Sequence, residues 1–438
     1  VLTLAQVSHP AAEPQVAGGV VRVDRLTAAC VGGGGQRSEV LSVAAPGIEG
    51  AGGGTLRIAP AGGQEREVRP ERGVVRDVAG AAADAPALVV DAGKGAAVAR
   101  TTSRFDRDSS GLAAQECSSS RSRWWFTGAG ASLDHTSDLV LANVDPGPAV
   151  VDVVVRGADG EVDSVGTRGM TIAPGEVLTM PLVDVAPQSE ELSIQVDAER
   201  GRVVAAVDDS FAAGAGGSPG GEWIPSQEEP SRTMVLGPLP QRADRRTLVV
   251  ANPTGREALV DLQVSGQSGS FAPAGAEQLR VPAGTVATAD LTSAVGADPS
   301  AVRLSSPVPV TATLRSVEAG EVSYAAVVPP LSGAAIALVP DAVSGAMHLT
   351  SAGGAAATAS LSAHAADGAE VDRTELSVPP GATAAWSPRG RVAYVLVDPG
   401  RGRLAGGAVL SSGSGVTQVP LRPLPVDLRR PAVVPAVR

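Results

Sequence analysis

Short apolar runs alternate with polar turn signals along nearly the whole chain. Runs rich in Val, Leu and Thr recur from Val20 to Leu421, and each is bounded by Gly, Pro, Asp or Ser. This close spacing is typical of strands, and the 3.6-residue period of an amphipathic helix is nearly absent. The clearest runs are residues 138–142, 150–155, 247–251, 259–264, 308–314 and 394–397. The pattern predicts an all-β protein of the β-sandwich or barrel type.

Three blocks of the chain resemble one another, at residues 137–211, 246–317 and, more weakly, 347–410. Each block has a strand that ends in a polar turn, then a hairpin, a turn containing Pro and Gly, a further strand, and two strands around a tight turn. The Pro/Gly turns end at Gly175, Gly284 and Gly381, where glycine allows the chain to reverse. The blocks predict tandem β-sandwich-like repeats.

A degraded fourth copy precedes these blocks, at residues 55–101, and Pro-rich connectors separate the copies. A chain of 438 residues is also too long for one hydrophobic core. We therefore predict four β units between a short leader remnant or linker and a Pro-rich tail. The predicted boundaries are 1–18 for the leader, 19–120, 121–234, 235–328 and 329–426 for the units, and 427–438 for the tail.

Composition excludes disorder and argues against nucleic-acid binding. Hydrophobic residues make up 43% of the chain and charged residues 18%, which is enough apolar surface to order a core. Aromatic residues are 2%, so Val, Leu and Ala have to fill that core. The formal net charge is -11 and there is no basic stripe interleaved with aromatics, which a phosphate backbone would require.

The two cysteines, Cys30 and Cys117, suit one disulfide. Neither has a second Cys or a His at ligand spacing, so a metal site is not predicted there. A disulfide indicates a location outside the cytosol. The apolar start of residues 1–18, followed by a Pro- and Ala-rich spacer, fits the remainder of a signal sequence or anchor. We expect a secreted or membrane-anchored protein of the cell envelope.

Catalytic candidates are few. Of the four histidines, His135 stands beside Asp134 and Asp138, but it lies in no known catalytic motif. Asp208 and Asp209 form a carboxylate pair of the kind used in glycoside hydrolysis. Adjacent strand residues point to opposite faces, so this pair cannot flank one glycosidic bond. We expect no catalytic residues and no cofactor.

A run of oxygen-bearing side chains, Asp106, Asp108 and Ser110, begins like a calcium-binding loop. The twelfth position of that loop is Cys117 rather than a bidentate Glu. The run therefore predicts an exposed turn, with a weak calcium site as the alternative.

The tryptophans Trp124, Trp125 and Trp223 are candidates for a sugar-stacking platform or a protein-binding surface. The competing interpretation places Trp125 and Phe126 in the core and Trp124 outside. In both cases Trp223, within a Gly/Pro-rich loop, is the better candidate for an exposed contact.

Specific residues carry a family resemblance: Cys117, the run WWFTGAG at 124–130, and the segments LANVDP, IAPGEV and GRVVAAVDDSF. With these the chain resembles the actinobacterial secreted family catalogued as domain of unknown function 5719. The resemblance implies export to the cell envelope, β-rich repeats and no assigned enzymatic activity. Family members tend to be encoded near a large membrane glycosyltransferase-like protein. The resemblance therefore also implies an accessory role in envelope polysaccharide assembly.

We therefore expect a non-catalytic envelope protein that serves as a scaffold or accessory subunit of a membrane glycosyltransferase in envelope polysaccharide assembly. A polysaccharide-binding protein, a structural or adhesive stalk and a glycoside hydrolase are the alternatives. The expected partner is a membrane-bound envelope protein, with cell-wall glycan as the alternative partner. Repeated β units serve all of these roles, so the fold alone does not choose.

Overall fold

A computed structural model describes residues 109–212, 219–340, 343–413 and 415–424 continuously. Before residue 109 and after residue 424 it describes mainly strand segments. The predicted leader, residues 1–18, lies outside the described residues. The described chain is essentially all β, built from antiparallel sheets, which confirms the predicted fold class. Within it, no helix has the length and apolar character needed to cross a membrane.

The N-terminal region forms two four-stranded sheets, ordered β2-β7-β4-β5 and β6-β3-β8-β9. Its strands are β1 (Gly19–Arg22), β2 (Leu26–Val31), β3 (Ser38–Ala44), β4 (Leu56–Pro60), β5 (Arg66–Val68), β6 (Val74–Val75), β7 (Ala87–Ala92), β8 (Ala97–Asp106) and β9 (Ser109–Glu116).

The second region is one continuous sheet, ordered β13-β12-β16-β10-β11-β17-β18, with β14 on β12 and β15 on β11. Its strands are β10 (Arg123–Ala131), β11 (His135–Ala142), β12 (Ala149–Gly157), β13 (Gly160–Glu161), β14 (Met170–Ile172), β15 (Val177–Pro181), β16 (Ser189–Arg200), β17 (Val204–Phe211) and β18 (Gly220–Ile224). A short 3-10 helix, η1 (Leu182–Asp184), follows β15.

The third region is built around a strand of 18 residues, β25, which pairs with β19 and β21 through its first part and with β20 and β26 through its second. Its strands are β19 (Ser231–Leu236), β20 (Arg245–Ala251), β21 (Ala258–Gly266), β22 (Gly269–Phe271), β23 (Gln278–Val281), β24 (Val286–Asp290), β25 (Ala301–Glu318) and β26 (Glu321–Ala325).

The fourth region has two sheets, ordered β30-β29-β32-β27-β35 and β31-β28-β33-β34. Its strands are β27 (Ala335–Leu338), β28 (Ser344–Ser351), β29 (Ala357–His364), β30 (Glu370–Val378), β31 (Thr383–Trp386), β32 (Tyr394–Pro399), β33 (Leu404–Ser412), β34 (Gly415–Pro420), β35 (Arg422–Pro423) and β36 (Asp427–Arg430).

The three similar sequence blocks share one pairing scheme. The first strand of each block pairs with the strand after the Pro/Gly turn and with the last strand, as in β11 with β15 and β17. The same holds for β20 with β24 and β25, and for β28 with β31 and β33. Gly175, Gly284 and Gly381 have φ values of 78°, 75° and 67°, which glycine adopts without strain. This scheme supports the tandem-repeat interpretation, which remains a prediction.

The hydrophobic cores do not stop at the predicted boundaries. The core of the second region also contains Ala29 and Ala113 from the N-terminal region and Val322 and Tyr324 from the third. The strand β19 crosses the predicted seam at residue 235 and pairs with β25. At the chain ends, β36 pairs with β1, so residues 427–430 of the predicted tail form a strand. The rest of the tail lies outside the described residues.

Candidate functional site

The predicted disulfide between Cys30 and Cys117 is present, with Cα atoms 4.3 Å apart and both side chains buried. It ties β2 to the segment that leads into β10. Backbone hydrogen bonds between Ala29 and Ser118 continue the pairing beside it. The bond therefore links β2 to the segment between β9 and β10.

The prediction that the tryptophans form an exposed binding platform is wrong. Trp124, Trp125 and Trp223 have exposed fractions of 1%, 5% and 3%. Trp124, expected outside, stacks near Phe126 with ring centroids 6.4 Å apart and donates Nε1–H to the carbonyl of Val203 at 2.9 Å. Every residue of β10 after Arg123 is buried, because this central strand is covered on both faces.

Trp223, expected in an exposed loop, lies in the fully buried strand β18. This strand continues the sheet beyond β17, and strands β9 and β26 pack against it. The expectation was wrong because the Gly- and Pro-rich segment contains a five-residue strand. The strands that bury it are distant in the sequence.

The calcium alternative gains no support. Asp106 ends β8 and Ser110 lies in β9, within one hairpin. Asp108 lies outside the described residues. Among the described residues, no group of three or more His, Cys, Asp and Glu side chains could hold a metal ion.

A buried polar cluster brings together His135, Ser137 and Asp209 of the second region and Tyr324 of the third. The Asp209 carboxylate accepts hydrogen bonds from three of these side chains. The partners are Ser137 Oγ at 2.5 Å, His135 Nε2 at 3.0 Å and Tyr324 Oη at 2.5 Å. The other imidazole nitrogen, Nδ1, faces the carbonyl of Glu190 at 2.8 Å. Both ring nitrogens of His135 therefore lie within hydrogen-bond distance of an oxygen atom.

This arrangement differs from a catalytic Ser-His-Asp site. A nucleophilic serine must give its proton to the imidazole, which an aspartate orients from the other side. Here Ser137 donates to the carboxylate directly and accepts a hydrogen bond from the backbone N–H of Gly130 at 2.9 Å. His135, Ser137 and Asp209 are also all buried. The geometry favours a structural tie over an activated nucleophile.

A partly buried ion pair lies beside this cluster and also joins the two regions. The guanidinium of Arg315, in β25, forms a two-pronged pair with the Glu191 carboxylate in β16, with distances of 2.5 and 3.2 Å. The same guanidinium lies 4.2 Å from the ring centroid of Phe211. Burial and the adjacent Asp209 carboxylate raise the pKa of Tyr324 well above its ordinary value, so the phenol stays protonated as the donor.

The carboxylate pair Asp208 and Asp209 is split between two faces, as the strand period predicts. Asp209 is buried in the cluster, while Asp208 is half-buried on the other face and lies opposite Asp138 in register. Burial, followed by the charges of Asp208 and Asp184, raises the pKa of Asp138. The pair therefore does not converge on one bond of a substrate.

A junction cavity of about 170 Å³ lies where all four predicted units meet. Its walls come from β9, β18 and β34 and from the residues after β26. Three buried side chains that line it, Gln115, Trp223 and Gln418, each carry a polar atom without a hydrogen-bond partner. These atoms are Gln115 Oε1, Trp223 Nε1 and Gln418 Oε1.

A larger groove of about 1090 Å³ runs between the second, third and fourth regions. Its wall carries carboxylates from Glu228, Glu229, Asp261 and Glu277 and guanidinium groups from Arg303 and Arg403. Arg303 is held by the carbonyl of Ser351 at 3.0 Å, whereas Arg403 is exposed. The groove therefore presents both acidic and basic side chains.

Sequence reasoning missed Gln115, Gln418, Tyr324 and Arg315. None lies in a recognisable motif, and each acquires its role through partners that are distant along the chain. One weak signal was available for Tyr324, since the chain has two tyrosines and few other aromatic side chains with which to fill its cores.

Comparison with known proteins gives one family. The model of a family described as "Family of unknown function (DUF5719)" matches residues 75–389, more than half of the chain. No curated protein matches the chain.

Proposed function

The chain belongs to the DUF5719 family of unknown function, and on that premise we propose that it is a non-catalytic envelope protein outside the cytoplasm. Its role is that of a scaffold or accessory subunit for a membrane-bound partner. A glycosyltransferase of envelope polysaccharide assembly is the partner that the family resemblance implies. The Cys30–Cys117 disulfide supports the compartment, because such bonds persist in oxidising surroundings.

The observation that carries the proposal is the Asp209 carboxylate, which takes donors from two regions and leaves no activated nucleophile beside it. Removing the partners of a buried charged group is strongly destabilising. The Asp209 cluster therefore fixes the position of the second region relative to the third. Arg315 and Glu191 add a second, partly buried ion pair across the same boundary. A scaffold benefits from β units that are held in fixed relative positions, because less conformational entropy is then lost when a partner binds.

The groove is the surface that we assign to the partner. It is the larger of the two concave surfaces described above, and three regions contribute to its wall. Its mixed charges suit a polar protein surface, where complementary charges give specificity and register. Arg403 is exposed on this wall.

The test is recovery of partners from detergent-solubilised envelopes of the native host with the tagged full-length chain, followed by mass spectrometry. The variant Arg403→Glu reverses a charge in the groove, and Arg401→Glu makes the same change two residues away, outside the groove wall. We expect stoichiometric recovery of a membrane glycosyltransferase by the wild type and by Arg401→Glu, and reduced recovery by Arg403→Glu.

Two results would count against the proposal. Recovery of no membrane protein would overturn the accessory-subunit role. Equal recovery by both variants would remove the groove as the docking surface while leaving the partner in place.

A further inference from the structure

The two guanidinium groups on the groove wall belong to one short stretch of that wall. Arg303 donates to the carbonyls of Ser351 and Ala352, at 3.0 and 3.4 Å. The main chain of Arg403 lies beside the same stretch, because its carbonyl accepts the backbone N–H of Ala352 at 2.8 Å. Arg303 comes from the third region and Arg403 from the fourth, and both line the groove. The seam between these regions therefore carries two positive charges.

Neither positive charge is neutralised by a carboxylate within the described part of the chain. The two acceptors of Arg303 are neutral carbonyl oxygens. A guanidinium has five N–H groups, so Arg303 keeps free donors after these two bonds. The exposed side chain of Arg403 forms no hydrogen bond with the described residues. The planar fork of each guanidinium matches the paired oxygens of a carboxylate, which makes this part of the wall suited to such a group.

Each of the four carboxylates on the groove wall has a partner elsewhere in the chain. The partners are Arg121 for Glu228 at 4.0 Å, Arg123 for Glu229 at 3.1 Å, the side-chain amide of Gln278 for Asp261 at 2.8 Å and the backbone N–H of Gly275 for Glu277 at 3.1 Å. Asp261 is bonded towards β23, which pairs with the opposite edge of β21 from β25 and Arg303. The wall around the two arginines therefore favours an anionic ligand.

The rest of the wall favours a peptide over a sugar chain or a small molecule. No aromatic residue lines the groove in the described part of the chain, so a sugar ring has no aromatic face to stack on. The exposed prolines Pro329 and Pro330 present apolar surface that the side chains of a peptide can contact. At about 1090 Å³ the groove also exceeds the ~300–1,000 Å³ of a small-molecule site, which leaves room for an extended chain.

We infer that Arg303 and Arg403 bind an acidic side chain in an extended segment of the partner protein. The inference rests on the groove being the docking surface proposed above, and it adds the charge of the segment that docks there. The carboxylate of an Asp or Glu accepts N–H groups from both guanidiniums, while neighbouring residues of the segment contact Pro329 and Pro330. Because the two arginines belong to different regions, binding requires the observed arrangement of the third and fourth regions.

The experiment selects phage-displayed random dodecapeptides on the immobilised full-length chain, and fluorescence anisotropy then measures the affinity of synthetic copies. We expect the selected peptides to be enriched in Asp and Glu. Replacing the acidic residue of a peptide by its amide should weaken binding about fivefold or more. Arg403→Gln should weaken binding by a similar factor, and Arg403→Lys by less, because lysine keeps the charge but not the fork. The control Arg401→Gln, outside the groove wall, should bind like the wild type.

Two results would overturn the inference: no enrichment of acidic residues among the selected peptides, or binding that Arg403→Gln leaves unchanged. Because Arg403 is exposed, its variants should fold, which circular dichroism checks. Polygalacturonate is titrated beside the peptides. If that glycan binds in an Arg403-dependent manner and no acidic peptide is selected, the inference is wrong and the groove takes an acidic polysaccharide.

The outcome is separable from that of the partner recovery. Recovery of a membrane glycosyltransferase without any preference for acidic peptides would remove this inference and leave the accessory-subunit role in place. Arg403-dependent binding of acidic peptides without recovery of a membrane protein would support the inferred chemistry of the groove and overturn the accessory-subunit role.

Discussion

Tyr324 donates its phenolic hydrogen to Oδ2 of Asp209 at 2.5 Å, across the boundary between two predicted units. The residues are 115 positions apart, and both are buried. On the same carboxylate, Oδ1 accepts from Ser137 and His135. This one relationship makes the boundary a polar, ordered interface.

The first prediction concerns the strength of this tie. Tyr324→Phe removes the hydroxyl and keeps the ring, so the Asp209 carboxylate loses one of its three donors. A hydrogen bond to a charged group contributes about 2–3 kcal/mol, and we expect a loss of that size in the free energy of unfolding. Urea denaturation measures it. The matched control is Tyr394→Phe, whose ring stacks on His364 and which should change stability by less than ~1 kcal/mol.

The second prediction concerns alkaline pH. Burial, followed by the Asp209 charge, raises the pKa of Tyr324 well above 10.0, its ordinary value. The folded state therefore holds this proton more tightly than the unfolded state does. The resulting stability is fully present below pH 10 and falls as the pH rises above it. Stability curves above pH 10 should be steeper for the wild type than for Tyr324→Phe, and parallel curves would contradict the prediction.

The third prediction concerns the disulfide. Cys30 and Cys117 are separated by 87 positions, so the bond closes a long loop in the unfolded chain. On a loop-entropy account, reduction or the double change Cys30→Ser and Cys117→Ser should cost about 4–5 kcal/mol. The measurement is thermal unfolding with and without reductant. The reductant should have no effect on the double variant, which serves as the control, and an equal shift in both proteins would point to another cause.

The fourth prediction concerns a buried turn residue that recurs in the blocks. Asn252 donates Nδ2–H to the carbonyls of Arg256 and Val281, while its Oδ1 accepts from the backbone N–H of Thr254. Asn143 occupies the corresponding turn of the preceding block. Because Asn252→Ala leaves several buried groups without partners, we expect a loss of about 2 kcal/mol in denaturant unfolding.

Thr254→Ala, in the same turn, is the control for that variant and should cost less than about 1 kcal/mol. Equal losses in the free energy of unfolding would show that Asn252 contributes no more to the stability of the turn than Thr254 does.

The fifth prediction concerns acid pH. Burial lowers the pKa of His348 from 6.5 to about 4. Below pH 6.5 His348 becomes protonated in the unfolded chain, while in the folded chain it stays neutral until the pH approaches 4. The free energy of unfolding present above pH 6.5 therefore decreases as the pH falls towards 4. The loss should be about 3 kcal/mol, and it should be absent from the difference curve of His348→Leu. If the wild type and the variant lose stability in parallel between these pH values, the prediction is wrong.

The sequence by itself determined the local structure. The period-two runs predicted strands such as β11 and β21, and the Pro/Gly turns at Gly175 and Gly284 were predicted from residues that tolerate positive φ. The split of Asp208 and Asp209 between two faces also followed from the strand period alone. Two cysteines without metal-ligand spacing were enough to predict their bond. These features depend on neighbours in the chain, which a sequence displays directly.

Tertiary structure alone decided the sites. Trp223 reads as part of an open loop, but its strand is covered by β9 and β26, which lie far away in the sequence. The partners of Asp209 and the walls of the junction cavity likewise come from separate regions. Burial and hydrogen-bond partners at such places are set by which faces of the units meet. Many packings bury similar apolar area, so the alternation of apolar and polar residues does not specify that choice.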